Sequence, residues 1–184
     1  MNAKVNIQFP EKSFYSAINI LDAYSLALDS TTQVKVLISR IKKETQRLIE
    51  VEQESSSTPH SFTDIKSLIS VAEYLAENYI NIFDSEYEKY KNASKNINVK
   101  FDAADLSEAY GLAHEISSWF GALLHQIKDE LFAIKENSKV LSNVVFTSLE
   151  RLIYIADFLS ESISNTFESE FKKYESEWEA SKNG

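Results

Sequence analysis

The chain has 184 residues, of which 43% are hydrophobic and 26% are charged, the balance of a folded globular protein rather than a disordered one. Its length suits one domain with a substantial core and is short for two. Only 3 glycines and 2 prolines occur, so we expect few, long elements joined by few turns, which favours helices.

The formal net charge of −9 disfavours general binding to nucleic acid, because an acidic chain repels a phosphate backbone. Cysteine is absent, which excludes disulfides, thiolate nucleophiles and zinc–thiolate sites and is typical of a reducing cytosol. The first residues contain no apolar run of signal-peptide length, and no apolar run is long enough to span a membrane. We therefore expect a soluble cytoplasmic protein that binds neither nucleic acid nor membrane.

Two short segments with alternating apolar and polar residues each precede a helical pattern. They are Val5–Phe9 and, 92 residues later, Ile97–Phe101. Such alternation predicts an extended arm with one buried face. The two arms could pair as a two-stranded ribbon or lie as unpaired coil over the helix ends, and the pattern does not choose between these arrangements.

A helical seam of apolar and small residues, spaced by alternating steps of three and four, follows each arm. In the first helix the seam consists of Ala17, Ile20, Tyr24, Ala27, Thr31, Val34, Ile38, Ile41, Thr45 and Leu48. In the third helix, 86 residues later, it consists of Ala103, Leu106, Tyr110, Ala113, Ser117, Phe120, Leu124, Ile127, Leu131 and Ile134. Each seam predicts a long helix that buries this side against partner helices.

The second and fourth helices contain the clearest repeat in the chain. The stretch Phe62–Asn92 returns without a gap as Phe146–Ser176, 84 residues later. The residues with the same type in both copies are Phe62, Thr63, Leu68, Ile69, Ala72, Leu75, Glu77, Asn81, Phe83, Ser85, Glu86, Lys89 and Tyr90. Chance gives about one match in every 15 to 20 positions, so we interpret the two stretches as copies of a duplicated unit.

These two helices also have seams, and capping signals precede the second and third helices. The seams are Ile65, Leu68, Ile69, Ala72, Leu75, Tyr79, Ile82 and Phe83, and then Leu149, Leu152, Ile153, Ala156, Leu159, Ile163, Thr166 and Phe167. A polar, serine-rich loop, Glu52–Ser61, precedes the second helix, and we expect the fourth to begin before Phe146. The pairs Ser61 with Asp64 and Asp102 with Asp105 predict helix N-caps.

The elements together predict an all-α fold. Four helices of about 30 to 40 residues, joined by short connections, favour an up-down antiparallel four-helix bundle. We predict one helical domain over residues 1–184, a tandem duplicated helical hairpin whose repeat covers 5–92 and 97–176, with each half preceded by a short extended arm. The alternative is an open pair of hairpins that a second chain completes, and a homodimer is therefore also considered.

Glu86 and Glu170 are the most unusual polar residues, because they occupy equivalent positions where the seam requires an apolar side chain. A carboxylate forced into the core must find a partner or take up a proton. The two acids could face each other and bind a cation or a basic side chain of a partner. Alternatively, the seam opens to solvent near the helix end and both carboxylates are hydrated.

The third helix has a second apolar stripe beside its seam. The stripe consists of Leu112, Ile116, Trp119 and Leu123. The equivalent positions of the first helix are Leu26, Ser30, Gln33 and Leu37. Either the third helix is the more buried one, or the stripe is an exposed partner-binding patch with Trp119 as its anchor.

Charged residues form two further groups. The basic group on the first helix is Lys35, Arg40, Lys42, Lys43 and Arg47, for which pairing with acids of neighbouring helices is the first interpretation and contact with an anionic partner the second. The acidic group, placed opposite the seams, is Glu73, Glu77, Asp84, Asp157, Glu161 and Glu168. It is expected to be a solvated ridge, or else to imitate the charge of a nucleic acid.

Catalytic chemistry is not indicated. The chain has no glycine-rich phosphate loop and no serine with nucleophile-elbow glycines, and the Glu-x-x-His spacing of bundle metal sites does not occur. His125 and Asp129 could hold a metal at helical spacing but more often form a surface pair. We predict a non-enzyme without metal or cofactor, acting as a non-catalytic protein-binding module such as an adaptor, inhibitor or regulatory subunit. The alternatives are a small-ligand or metal-binding bundle and, more weakly, an acidic nucleic-acid mimic that inhibits a DNA-binding protein.

Overall fold

A computed structural model describes residues 13–55, 62–96, 99–138 and 143–182. Four helices account for most of them: α1 Ala17–Ser55, α2 Thr63–Ala93, α3 Ala103–Asn137 and α4 Asn143–Lys182. They have 39, 31, 35 and 40 residues, as the spacing of the seams predicted. No strand occurs in these four ranges, so the all-α prediction is confirmed.

The helices alternate in direction around one core. A single antiparallel backbone bridge joins Tyr15, just before α1, to Phe101, just before α3, so these two helices start side by side. Helix α1 packs most extensively on α2, and α3 on α4, while α1 also contacts α3 and α4, and α2 contacts α3. Within the described ranges α2 and α4 do not touch. The predicted four-helix bundle is confirmed, with α1 and α3 closest to its centre.

The predicted seams form the core. All ten seam residues of α1 are buried, and in α3 only Tyr110 is partly exposed. The seams of α2 and α4 are less complete, because each of these helices borders fewer neighbours. Their buried members are Ile65, Ile69, Ala72 and Phe83, and Leu149, Ile153, Ala156 and Phe167. Thr166 was assigned wrongly: it is exposed, and its hydroxyl donates to the Ser162 carbonyl oxygen.

Two helices begin with side-chain caps at equivalent positions. The Asp102 carboxylate accepts from the Ala104 amide while Asp105 accepts from the Asp102 amide, which confirms that predicted cap. Before α1, Asn19 accepts from the amide and hydroxyl of Ser16 in the same way. Helix α2 differs from its prediction, since its N-cap is the buried Phe62 without a side-chain hydrogen bond. Ser61 lies outside the described residues.

The predicted arms lie largely outside the described residues, and the first loop differs from the sequence interpretation. Val5–Phe9 and the first two residues of Ile97–Phe101 lie outside the described ranges. The residue that pairs with Phe101 is Tyr15, which precedes it by 86 residues, the same shift as the helices. Helix α1 also extends through Ser55, so Glu52 is a buried helical residue rather than the start of a loop.

The two hairpins repeat several contacts at equivalent positions. Tyr24 lies 6.3 Å from Phe83 and 5.6 Å from Tyr90, measured between ring centroids. In the second hairpin, Tyr110 lies 6.3 Å from Phe167 and 5.6 Å from Tyr174. The stacking is near-parallel in both tyrosine pairs, with interplanar angles of 17° and 9°. The recurrence describes the structure, and a duplicated origin of the halves stays a prediction.

Candidate functional site

The two seam carboxylates lie at the border of the core and are partly hydrated. The side chains of Glu86 and Glu170 are 29% and 35% exposed. Each accepts from a lysine three residues later, Lys89 at 2.7 Å and Lys173 at 3.1 Å. The hydrogen bond to Glu86 is the largest effect raising the pKa of Lys89. The carboxylates are therefore paired within their own helices and do not face each other in a closed cavity.

Metal ligands are not gathered in the described part of the chain, where no group of three or more acidic, histidine or cysteine side chains could hold an ion. His125 and Asp129 are 3.5 Å apart and both are 64% exposed, which is an ordinary surface pair. His114 uses Nδ1 to contact the Ser164 carbonyl oxygen at 3.1 Å and so joins α3 to α4. The His125 imidazole is thus a surface group, and the His114 imidazole contributes to the packing of α3 on α4.

A small cavity in the described core is bordered by hydroxyl groups. A cavity of about 10 Å³ lies where α1, α3 and α4 meet, and Ser30, Thr31, Ser117 and Ser160 supply its hydroxyl groups. That volume corresponds to about one water molecule. The buried Ser160 hydroxyl has no hydrogen-bond partner among the described residues, so a water molecule suits this position. A small organic ligand does not fit there.

The second stripe of α3 is mainly a packing surface. Ile116 is only 2% exposed, and Leu112 and Leu123 are half-buried against the core. Only Trp119 is accessible, at 40%, and its ring meets Tyr79 of α2 edge-on at 6.0 Å. The physical reason is that α3 contacts all three other helices and needs two apolar sides. The predicted partner-binding patch is therefore reduced to the outer edge of one tryptophan.

Two of the five basic residues of α1 pair with acids of α2. Lys35 contacts Glu77 at 3.1 Å, and Lys42 contacts Glu73 at 2.5 Å. Helices α3 and α4 are linked in the same manner, by Lys128 with Asp157 at 3.7 Å and Lys135 with Glu150 at 2.5 Å. The first interpretation of the basic group holds for Lys35 and Lys42.

The predicted acidic ridge is consequently placed differently from the expectation. Glu73, Glu77 and Asp157 lie at the borders between helices, where lysines of α1 and α3 reach them. Glu168 is paired with Lys172 at 2.6 Å, and this contact lowers the pKa of Glu168. The ridge does not present a continuous row of free negative charges.

A sizeable cleft lies between α1 and α2. It has a volume of about 790 Å³, with Ile69 and Thr45 at its floor and Lys43, Arg47 and Lys66 among its walls. Lys43 and Lys66 make no ion pair with any described residue. The cleft is thus more positively charged than the chain as a whole.

Two apolar clusters on the outside of the bundle were not predicted from the sequence. On α4, Ile155 is 55% and Phe158 73% exposed; on α2, Val71 is 48% and Tyr74 68% exposed. The clusters lie 84 residues apart, at equivalent positions of the two helices. The available signal was an apolar residue at these off-seam positions in both helices. We name these the α2 face (Val71, Tyr74) and the α4 face (Tyr154, Ile155, Phe158).

Comparison with known proteins identifies no relative, since neither a family model nor a curated protein nor a solved structure matches the chain. Among the described residues, no helix has both the length and the apolar character that crossing a membrane requires.

Proposed function

We propose that this protein is a non-catalytic protein-binding module that works as an adaptor through the α2 face and the α4 face. The observation that carries the proposal is the exposure of large apolar side chains at the same position of both helices. Burying such side chains is favourable, and exposed apolar groups concentrated on one surface mark interaction sites. The helices that carry the two faces do not touch, so each face is available to its own partner.

The partner chemistry follows from the spacing of these residues. Val71 and Tyr74 are three positions apart on a straight helix, as are Ile155 and Phe158. Side chains with this spacing form a ridge that fits between the ridges of another helix. We infer that the faces receive amphipathic helices of partner proteins, whose apolar residues repeat every three or four positions.

A capture experiment tests this proposal. Tagged wild-type protein would be compared with Val71→Ser/Tyr74→Ser and Ile155→Ser/Phe158→Ser in lysate of the native cell, with mass spectrometry of the bound proteins. Each double variant should lose a distinct protein that the other variant retains. Val36→Ser/Ile18→Ser, which changes exposed apolar residues of α1, is the matched control and should lose neither. Identical captured proteins for all four chains would refute the proposal.

A second candidate function is binding of a small anionic ligand in the cleft between α1 and α2. The free lysines Lys43 and Lys66 favour it, whereas the core cavity offers no room for the small-ligand alternative in the bundle interior. Inorganic phosphate should then raise the melting temperature of the wild type and leave that of Lys43→Ala/Lys66→Ala unchanged. The nucleic-acid mimic has less support, because the ion pairs of Glu73, Glu77 and Asp157 leave less free negative charge.

A further inference from the structure

The α4 face is bordered by two opposite charges. Arg151 lies five residues before Ala156 on the exposed side of α4, and Glu161 lies five residues after it. Tyr154, Ile155 and Phe158 are between them, all exposed. At 1.5 Å per residue, the two charges are about 15 Å apart along the helix. The order along this side is positive, apolar, negative.

Both charges are free within the described part of the chain. Neither Arg151 nor Glu161 has an ion pair or side-chain hydrogen bond to any described residue. This sets Glu161 apart from the neighbouring acids Glu150 and Asp157, which lysines of α3 neutralise. The groove beside Glu161 also contains Gly121, Ala122 and His125, and His125 pairs with Asp129 rather than with Glu161.

The order of charges along this side of α4 is complementary to that of a second α4 that runs antiparallel to it. If a second α4 lies antiparallel on the first with a two-fold axis near Ala156, Arg151 of each copy comes opposite Glu161 of the other. The aromatic residues Tyr154 and Phe158 then meet between two ion pairs. We propose that the α4 face binds the α4 face of a second copy of this chain, as a closed two-fold dimer.

The α2 face fits this role less well. Its residues equivalent to Arg151 and Glu161 are Ser67 and Glu77, so the cation is missing, and Glu77 already binds Lys35. Pairing of an α4 face with an α2 face would satisfy fewer charges and, being head-to-tail, would form a ring or an open chain of copies rather than a two-fold pair. The charges therefore select a pair of α4 faces and leave the α2 face for a different protein.

The inference rests on the proposed function, since it names the partner of one of the two faces. It concerns purified protein alone, whereas the capture experiment concerns other proteins. If the purified chain is monomeric but the Ile155→Ser/Phe158→Ser variant still loses a captured protein, only the self-pairing is wrong. If the chain dimerises as described but no capture depends on the α2 face, the adaptor function is wrong and the dimer stands.

Charge exchange provides the test. Sedimentation velocity over a concentration series would compare the wild type with Arg151→Glu, Glu161→Arg and the double exchange. Each single variant places like charges opposite each other twice, so its dimer dissociation constant should rise roughly tenfold or more. The double exchange restores both ion pairs and should dimerise as the wild type does. An equimolar mixture of the two single variants should form heterodimers, because each brings what the other lacks.

Three controls make the outcome decisive. Tyr74→Ser, on the α2 face, should leave dimerisation unchanged, while Phe158→Ser should weaken it, since the ring is central to the pairing. Circular dichroism should show unchanged helix content, because all exchanged residues are exposed. A wild type that stays monomeric up to about 1 mM, or single variants that dimerise as well as the wild type, would overturn the proposal.

Discussion

Tyr15 illustrates how much a single side chain outside the helices contributes. It lies just before α1, yet its hydroxyl donates to Glu177 near the end of α4, and its ring meets Tyr174 edge-on at 5.4 Å. Burial and then the hydrogen bond to the Glu177 carboxylate raise the pKa of Tyr15 to about 12. Burial also raises the pKa of Tyr24, Tyr90 and Tyr110. The neutral phenols are thus favoured by the folded state.

Alkaline pH should therefore destabilise the protein. A phenol whose folded-state pKa exceeds its unfolded value of 10 stabilises the fold fully below pH 10 and loses this contribution as the pH rises through the folded-state pKa. We expect the free energy of unfolding, from urea titrations followed by circular dichroism, to be constant from about pH 8 to 9 and to fall between pH 10 and 12.

The variant Tyr15→Phe isolates one contribution to this fall. It lacks the phenol that titrates near 12, so its free energy of unfolding should decline less steeply over the same pH interval. Tyr74→Phe makes the same change at an exposed ring and should keep the wild-type slope. Equal slopes for all three chains would show that Tyr15 ionises no differently in the folded and unfolded states.

At the scale of the helices, periodicity predicted which side of each element would be covered. The seam of α1 was correct at every position because alternating steps of three and four define one side of a helix regardless of its neighbours. Periodicity does not show how many other helices surround each helix. Burial of Ile116 depends on α3 contacting three helices, and that is a property of the assembled bundle.

The overlooked residue Tyr15 and the wrong cap of α2 have a different origin. Val5–Phe9 was predicted to be an arm because apolar and polar residues alternate in it, whereas Tyr15 is a single aromatic residue outside any periodic pattern. Its equivalence to Phe101 becomes evident only from the backbone bridge between them. The α2 start was mispredicted because a buried ring at Phe62, rather than a polar side chain, occupies the N-cap. The prediction of a solvated acidic ridge also missed the neighbouring helices, because lysines of the adjacent helix reach Glu73 and Asp157.

The two glycines of α3 give a matched pair of helix substitutions. A Cβ atom on Gly121 would meet no atom within 4 Å, so Gly121→Ala should stabilise the protein by about 0.5–1 kcal/mol through the lower entropy of the unfolded chain. A Cβ atom on Gly111 would lie 3.1 Å from the Phe171 ring of α4, which must then shift.

We expect Gly111→Ala to gain less than Gly121→Ala or to lose stability. Thermal unfolding measures the difference, since about 1 kcal/mol changes the melting temperature of a chain of this size by roughly 2–4 °C. A smaller side chain at position 171 should relieve this close contact. The double variant Gly111→Ala/Phe171→Leu should therefore be no less stable than Phe171→Leu alone. Equal gains at both glycines would mean that α3 and α4 are less closely packed at Phe171 than described.

At the scale of the whole molecule, the contact between α1 and α3 organises the bundle. Small residues allow it: Ser30 and Thr31 of α1 and Ala113 and Ser117 of α3 line the same small central cavity. The consequence is an asymmetric cross-section in which α2 and α4 lie far apart. This separation is what gives the two exposed faces independent surroundings, and it could not be inferred from the pattern of any one helix.

The crossed packing of Tyr15 and Phe101 has a consequence for a cleaved chain. Tyr15 precedes the first hairpin but packs on Tyr174 of the second, and Phe101 precedes the second but packs on Tyr90 of the first at 5.4 Å. After cleavage between Lys95 and Val99, each fragment would still carry an aromatic ring that packs on the other fragment. The cleaved halves should co-elute in gel filtration as one complementing pair, and their separation would show that the covalent connection, rather than the exchanged rings, keeps them together.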